Sequence, residues 1–158
     1  MKTYRAYYPS EVGLLEITAT DGGIAGLRFV KSKTKAQSDS HPHLSECFRQ
    51  LDEYFRGKRK RFELKLKPEG TDFQKKVWDE LRKIPFGKTA SYAEVALAIG
   101  RPKAFRAVGG ANSRNPIAVI IPCHRVIGSD GSLTGFGGGL WRKDRLLKHE
   151  CEVAVQKK

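Results

Sequence analysis

The stretch Ser91–Ile127 reads SYAEVALAIGRPKAFRAVGGANSRNPIAVIIPCHRVI, and the reading of the fold turns on it. Ser91-Tyr92-Ala93-Glu94 is a capping box: Ser at the N-cap and Glu three residues later satisfy backbone donors left orphaned at a helix start. It opens a short helix, Tyr92 to Ile99, with Ala93, Val95, Ala96 and Ile99 apolar. Gly100-Arg101-Pro102 breaks that helix, and Lys103 to Ser113 forms another at once. Two short helices joined by a tight turn containing Gly are a helix-turn-helix signal. Small residues dominate the second helix: Ala104, Ala107, Gly109, Gly110 and Ala111. Glycine inside a helix costs about 1 kcal/mol relative to alanine. Two in a row imply a close approach to the backbone, either by a neighbouring helix or by a nucleic-acid backbone. Asn115-Pro116 then makes a turn, IAVII over 117–121 reads as a strand, and Pro122-Cys123-His124-Arg125 closes it.

Charge concentrates in the same stretch. No acidic residue lies between Glu94 and Asp130, whereas Arg101, Lys103, Arg106, Arg114 and Arg125 do. The whole chain of 158 residues carries 30 Lys and Arg against 17 Asp and Glu, a net charge of +13. Residues 1–70 hold 14 basic and 9 acidic groups, and residues 71–158 hold 16 and 8. Such an excess favours a polyanionic partner, most simply nucleic acid, although an over-charged solvated surface has the same total.

Outward from this stretch the chain reads as two domains of a mixed α/β (α+β) protein, residues 1–69 and 70–158. Residues 1–30 read as strands, with GLLEITAT and GIAGLRFV flanking the hairpin turn Asp21-Gly22. Residues 31–42 are loop-like. Leu44, Cys47, Phe48, Leu51, Tyr54 and Phe55 then recur at helical spacing until Gly57. Lys58-Arg59-Lys60-Arg61 reads as a solvated loop, with weak nucleic-acid contact as the alternative. Pro68-Glu69-Gly70 marks the boundary. Thr71 to Gln74 is a further capping box, opening a helix with Phe73, Val77, Trp78, Leu81 and Ile84 inward. After the strand, residues 128–139 form a glycine-rich loop, a final helix runs from Leu140 to Glu150, and the tail VAVQKK is expected to fray.

No apolar run approaches the roughly 18 residues of a membrane span, and the N-terminus lacks a signal-peptide core. Three scattered cysteines, Cys47, Cys123 and Cys151, make no disulfide framework or CxxC pair. His41 and His43 near Cys47 read as surface histidines at a helix start, since no fourth ligand is evident. No metal and no membrane partner are therefore expected. The free thiols fit a reducing compartment, and the expected location is cytoplasmic.

Cys123 is the candidate nucleophile, because cations or a base nearby favour its thiolate. The competing reading is an inert buried cysteine. Neighbouring side chains on a strand face opposite ways, so direct contact between Cys123 and His124 needs a turn there, or a bridging water. Asn112 and Asn115 are the chain's two asparagines, and Asn115 before Pro116 reads as a structural hinge. Glu150 is either the group that orients a histidine or a solvated helix-end carboxylate. The loop 128–139 lacks the Gly-Lys-Ser/Thr of a phosphate loop.

The succession SYAEVA, RPKAFRAVGGANSRNP, IPCHRVI, GGGL and LLKHE, ending at Glu150, resembles the O6-alkylguanine-DNA alkyltransferases, also called methylated-DNA–protein-cysteine methyltransferases. The likeness covers about residues 72–151, and residues 1–69 resemble the family's ribonuclease-H-like small domain only in layout. The resemblance implies a mostly helical, winged-helix-like C-terminal domain that enters the minor groove of double-stranded DNA as a monomer. A flipped O6-methylguanine, with O4-methylthymine as a second substrate, would give its alkyl group irreversibly to Cys123 in one suicide turnover, with no cofactor. His124 would be the base through a water, Glu150 its orienting partner, Asn115 the brace of the turn, and Tyr92 the donor to guanine N3. Arg106 would fill the space of the flipped base. Tyr92, Ala107, Gly110, Arg114 and Arg125 would meet DNA, and Tyr92, Val126, Phe136, Gly137 and Gly138 would line the base pocket. Many relatives carry Tyr where this chain has Phe136. Three other readings compete: an alkyltransferase-like DNA binder, which would lack the cysteine; a helix-turn-helix regulator, which leaves PCHR and HE unexplained; and a cysteine hydrolase, which leaves the DNA-binding features unexplained.

Overall fold

A computed structural model describes residues 2–34 and 37–156. The chain divides into two compact units, Met1–Glu69 and Gly70–Lys158. The first is built on an antiparallel meander of β1 (Tyr4–Ser10), β2 (Gly13–Thr20) and β3 (Gly23–Val30), in spatial order β1-β2-β3. Leu15, Ile17, Ala19 and Leu27 are buried together with Leu44, Cys47, Leu51 and Tyr54 of α1 (Pro42–Phe55). His41 is the N-cap of α1, its ring accepting from the His43 backbone N–H, and Pro42 follows where a missing N–H costs nothing. The histidines thus serve the helix start. Burial pushes the Cys47 thiol up to about 12, so it is a core residue and not a nucleophile.

The second unit is mostly helical. Both capping boxes form in full, Thr71 with Gln74 at the start of α2 (Asp72–Leu81) and Ser91 with Glu94 at the start of α3 (Tyr92–Ala98). Gly100, at φ +77, turns the chain from α3 towards α4 (Phe105–Ser113). The buried Trp78 indole donates to the Ala111 carbonyl at 2.9 Å, tying α2 to α4. Neither glycine of α4 is required by packing within the chain. A Cβ on Gly109 would lie 3.8 Å from the Tyr92 ring, an ordinary van der Waals distance. A Cβ on Gly110 would meet nothing within 4 Å, and Gly110 leaves a slim exposed surface.

Two sequence expectations are corrected. IAVII over 117–121 is not a strand. It coils into turns closed by Ile120 N–H to the Ala118 carbonyl at 2.8 Å and Ile121 N–H to the Ile117 carbonyl at 3.0 Å, with Val119 at φ +69. Asn115 imposes the coil: its Oδ1 accepts from Ile117 N–H at 3.0 Å and its Nδ2 donates to the Ile121 carbonyl at 2.8 Å. The strand position falls instead to β5 (Val126–Ile127), parallel to β4 (Ala90–Ser91). The last helix, α5 (Leu140–Gln156), does not end at Glu150 but runs on through the expected frayed tail. Val153 anchors that extension at 7% exposure; Lys157 and Lys158 lie outside the described residues. No helix among the described residues is long and apolar enough to cross a membrane, and no three His, Cys, Asp or Glu side chains among them are grouped to hold a metal.

Candidate active site

The turn imposed by Asn115 delivers Cys123 to the first position of a single 3-10 turn, Cys123–Arg125, directly after Pro122. A 3-10 turn has about three residues per turn, so consecutive side chains fan out and need not oppose each other as on a strand. Cys123 is 5% exposed. Burial pushes its thiol up, while a hydrogen bond from the Asn115 side chain and the Lys143 ammonium charge pull it down. The resting group is a thiol with two stabilisers of its thiolate in place.

His124 is fully buried and its Nε2 lies 2.7 Å from Glu150 Oε2. Burial drives the imidazole below its ordinary value, with Glu150 opposing, so it is neutral near pH 7. Glu150 is also fully buried. Burial alone would raise its carboxyl, but His124 and Arg125 reverse that and hold it below the usual carboxylate range. Its oxygens accept from Arg125 Nε at 2.8 Å, Arg125 Nη2 at 2.9 Å and the Gly87 backbone N–H at 3.2 Å. An anionic Glu150 requires the proton on Nε2, which leaves Nδ1 of His124 as a lone-pair acceptor. Glu150 is therefore neither helix-terminal nor solvated.

Arg125 corrects another expectation. It is 6% exposed, and its third guanidinium nitrogen, Nη1, donates to the Ile84 carbonyl at 2.7 Å. All three nitrogens serve the protein interior, so Arg125 does not present a DNA contact. The exposed basic face lies on α4 instead, where Arg106, Ala107, Gly110 and the C-cap residue Arg114 are all exposed, with Arg101 and Lys103 in the preceding turn.

The loop 134–138 closes the other side. Tyr92 Oη donates to the Thr134 carbonyl at 3.0 Å, and a Cβ on Gly135 would lie 3.1 Å from that hydroxyl. Phe136 and Gly138 are half-buried and Gly137 is exposed; Arg142 Nη1 holds the Gly138 carbonyl at 2.7 Å. Val126 is fully buried, and its carbonyl accepts from Lys143.

Sequence reasoning missed Lys143. It is fully buried on α5, also donates to the Thr134 carbonyl at 2.6 Å, and burial lowers its ammonium to about 8. A signal was available: Lys143, Leu146, Glu150 and Val153 recur at the spacing of one helix face, and all four are buried. A lysine in register with a candidate catalytic carboxylate points inward with it.

This arrangement offers a buried thiol, a neutral imidazole oriented by an anion, a fixed cation and a basic exposed helix. The family model described as 6-O-methylguanine DNA methyltransferase, DNA binding domain, matches residues 72–152, and that of the ribonuclease-like domain matches residues 3–68. A methylated-DNA–protein-cysteine methyltransferase of Methanosarcina barkeri is 51% identical over 146 residues, covering 89% of this chain and 92% of that protein. The crystal structure of Mycobacterium tuberculosis O6-methylguanine methyltransferase superposes with a TM-score of 0.86 at 41% identity, covering 96% of this chain and 94% of that one. That of M. tuberculosis OGT in complex with DNA gives 0.83 at 42% identity, covering 96% and 93%. With both units matched in sequence and fold, the chain belongs to the 6-O-methylguanine DNA methyltransferase family.

Proposed function

We propose that this chain repairs DNA by taking the alkyl group of a flipped O6-alkylguanine onto Cys123, acting as a monomer from the minor groove in a reducing, cytoplasmic setting. The observation that carries this reading is the buried pair of Glu150 and neutral His124 beside Cys123, a base with its partner already in place. The sulfur electron pair forms the S–C bond as the C–O6 bond breaks, and the guanine keeps that bond's electrons. The thiol proton passes through water to His124 Nδ1, and the guanine anion left behind, its charge eased by a hydrogen bond from Tyr92 to N3, takes a proton from solvent at N1. Flipping is required because the alkyl carbon is out of reach inside stacked DNA. Asn115 braces the turn under Cys123, and Phe136, Gly137, Gly138 and Val126 wall the pocket.

Single-turnover rates between about pH 5 and 9 test the relay. His124→Ala should slow transfer by about 10²–10⁴-fold, the usual reach of general acid–base catalysis. Burial lowers the imidazole, so the wild-type acid limb should fall below the ordinary histidine value of about 6.5. An unchanged rate and limb in His124→Ala would sink the assignment.

The exposed face of α4 is the proposed minor-groove contact, with Arg106 as the finger. Arg106→Ala should weaken repair of duplex DNA at least tenfold more than reaction with free O6-alkylguanine, which needs no flipping. The order-of-magnitude separation rests on the few kcal/mol that unstacking costs. Equal losses on both substrates would remove the finger role.

A further inference from the structure

Among the described residues, two buried side-chain atoms have no hydrogen-bond partner: His124 Nδ1 and Asn112 Oδ1. His124 is fully buried and Asn112 is 1% exposed. Both side chains border the peptide that joins Cys123 to His124. Asn112, in the last turn of α4, donates from Nδ2 to the Cys123 carbonyl at 3.4 Å, and His124 is the other half of that same peptide. The amide cannot be turned round, because Oδ1 would then face the Cys123 carbonyl oxygen.

The two orphans have the same polarity. An amide oxygen is acceptor-only, and Nδ1 is an acceptor because Nε2 carries the proton towards Glu150. Two acceptors cannot satisfy each other, and leaving either buried and unpaired costs about 1–3 kcal/mol. The nearby cationic side chains point elsewhere: Arg125 to Glu150 and Ile84, Lys143 to the Val126 and Thr134 carbonyls. What fits is a small molecule with two donors and a free lone pair, which describes water, and buried waters typically make about three hydrogen bonds.

We infer that Asn112 is a positioning residue that, together with His124, holds the relay water with its lone pair towards Cys123. One water hydrogen goes to Asn112 Oδ1 and the other to His124 Nδ1, and the remaining lone pair receives the S–H proton. As the thiol gives its proton to the water, the water gives one to Nδ1; thiolate and imidazolium result and the water is regenerated. Asn112 thereby fixes the water's orientation, which His124 alone would leave free to rotate. The inference rests on the reading of His124 as the base. It also places a relay residue on α4, the helix that carries Arg106.

The test has two arms on the full chain. A crystal structure of the unreacted protein at about 1.5 Å should show an ordered water at roughly 2.7–3.2 Å from both Asn112 Oδ1 and His124 Nδ1. In the second arm, Asn112→Leu keeps the branched shape and removes both the acceptor and the amide donor to the Cys123 carbonyl. Its single-turnover rate on O6-methylguanine duplex at pH 7 should fall about tenfold, the worth of one hydrogen bond. DNA affinity should stay unchanged, and the deficit should shrink as pH rises towards the point where Cys123 ionises unaided, which burial places above the free thiol's value of about 8.5. A purely structural role would lower the rate equally at every pH. That result, a wild-type profile in Asn112→Leu, or a water touching only one of the two atoms overturns the inference. If His124→Ala also behaves as wild type, the relay itself is wrong; if His124→Ala is slow and Asn112→Leu is not, only the role of Asn112 falls.

Discussion

Excess duplex carrying labelled O6-methylguanine should place one equivalent of label on the protein, all of it on Cys123, and then stop. The product is a thioether. Breaking its C–S bond needs a nucleophile stronger than any group at the site: His124 is neutral and tied to Glu150, and Lys143 is bound to two carbonyls. The other thiols do not substitute. Cys47 is fully buried with its thiol pushed up to about 12, and Cys151 lies on the exposed side of α5, the helix whose inward face carries Glu150. Cys123→Ala and Cys123→Ser should both reduce label on the protein to background while keeping DNA affinity within about twofold, since the exposed basic face of α4 is untouched; surface substitutions away from a contact usually stay within about 0.5 kcal/mol. Intact mass and peptide mapping after reaction read the outcome. Sustained turnover, or label on Cys47 or Cys151, would overturn the single-acceptor mechanism.

What was legible in the sequence was local. The two capping boxes and the Gly100 turn are specified by residues within four positions of one another, and all of them form. The strand reading of IAVII failed because a short apolar, β-branched run carries no period of its own, and Asn115 gave the backbone closer partners than a sheet would. The site is non-local. His124 and Glu150 are 26 residues apart, and no periodicity joins a 3-10 turn to a helix. Resemblance, not spacing, drew them together. Charge alone misled at Arg125, since an arginine in an acid-free stretch looks like a surface group until a carboxylate from α5 arrives to meet it. The backbone carbonyls that Lys143 meets leave no mark in the sequence either, and only its register with Glu150 on α5 pointed it inward.

Arg125→Met should cost about 3–5 kcal/mol at neutral pH, the usual penalty for removing one partner of a buried ion pair. Glu150 would keep the His124 Nε2–H and the Gly87 N–H but lose the guanidinium that holds a fully buried carboxylate anionic. The pH dependence identifies the cause. In the wild type the Glu150 carboxyl is depressed, so its contribution is complete above the unfolded value of about 4.3 and fades as pH falls through the folded one. His124 is depressed as well, so the folded state resists taking its proton and stability begins to decline below about 6.5. Both effects weaken the wild type in acid. In Arg125→Met the carboxyl has lost the cation that kept it charged and takes up its proton readily, so acid relieves the defect. The stability gap between the two proteins should therefore be widest near pH 7 and narrow by pH 4. Both tryptophans, Trp78 and Trp141, lie in the second unit, so their fluorescence during urea unfolding reports this unit directly. Had Arg125 been a phosphate contact, the variant would unfold like the wild type and lose about one unit of salt slope in DNA binding. Buried as it is, Arg125→Met should leave the salt slope of the folded protein unchanged and show its loss in the unfolding curve.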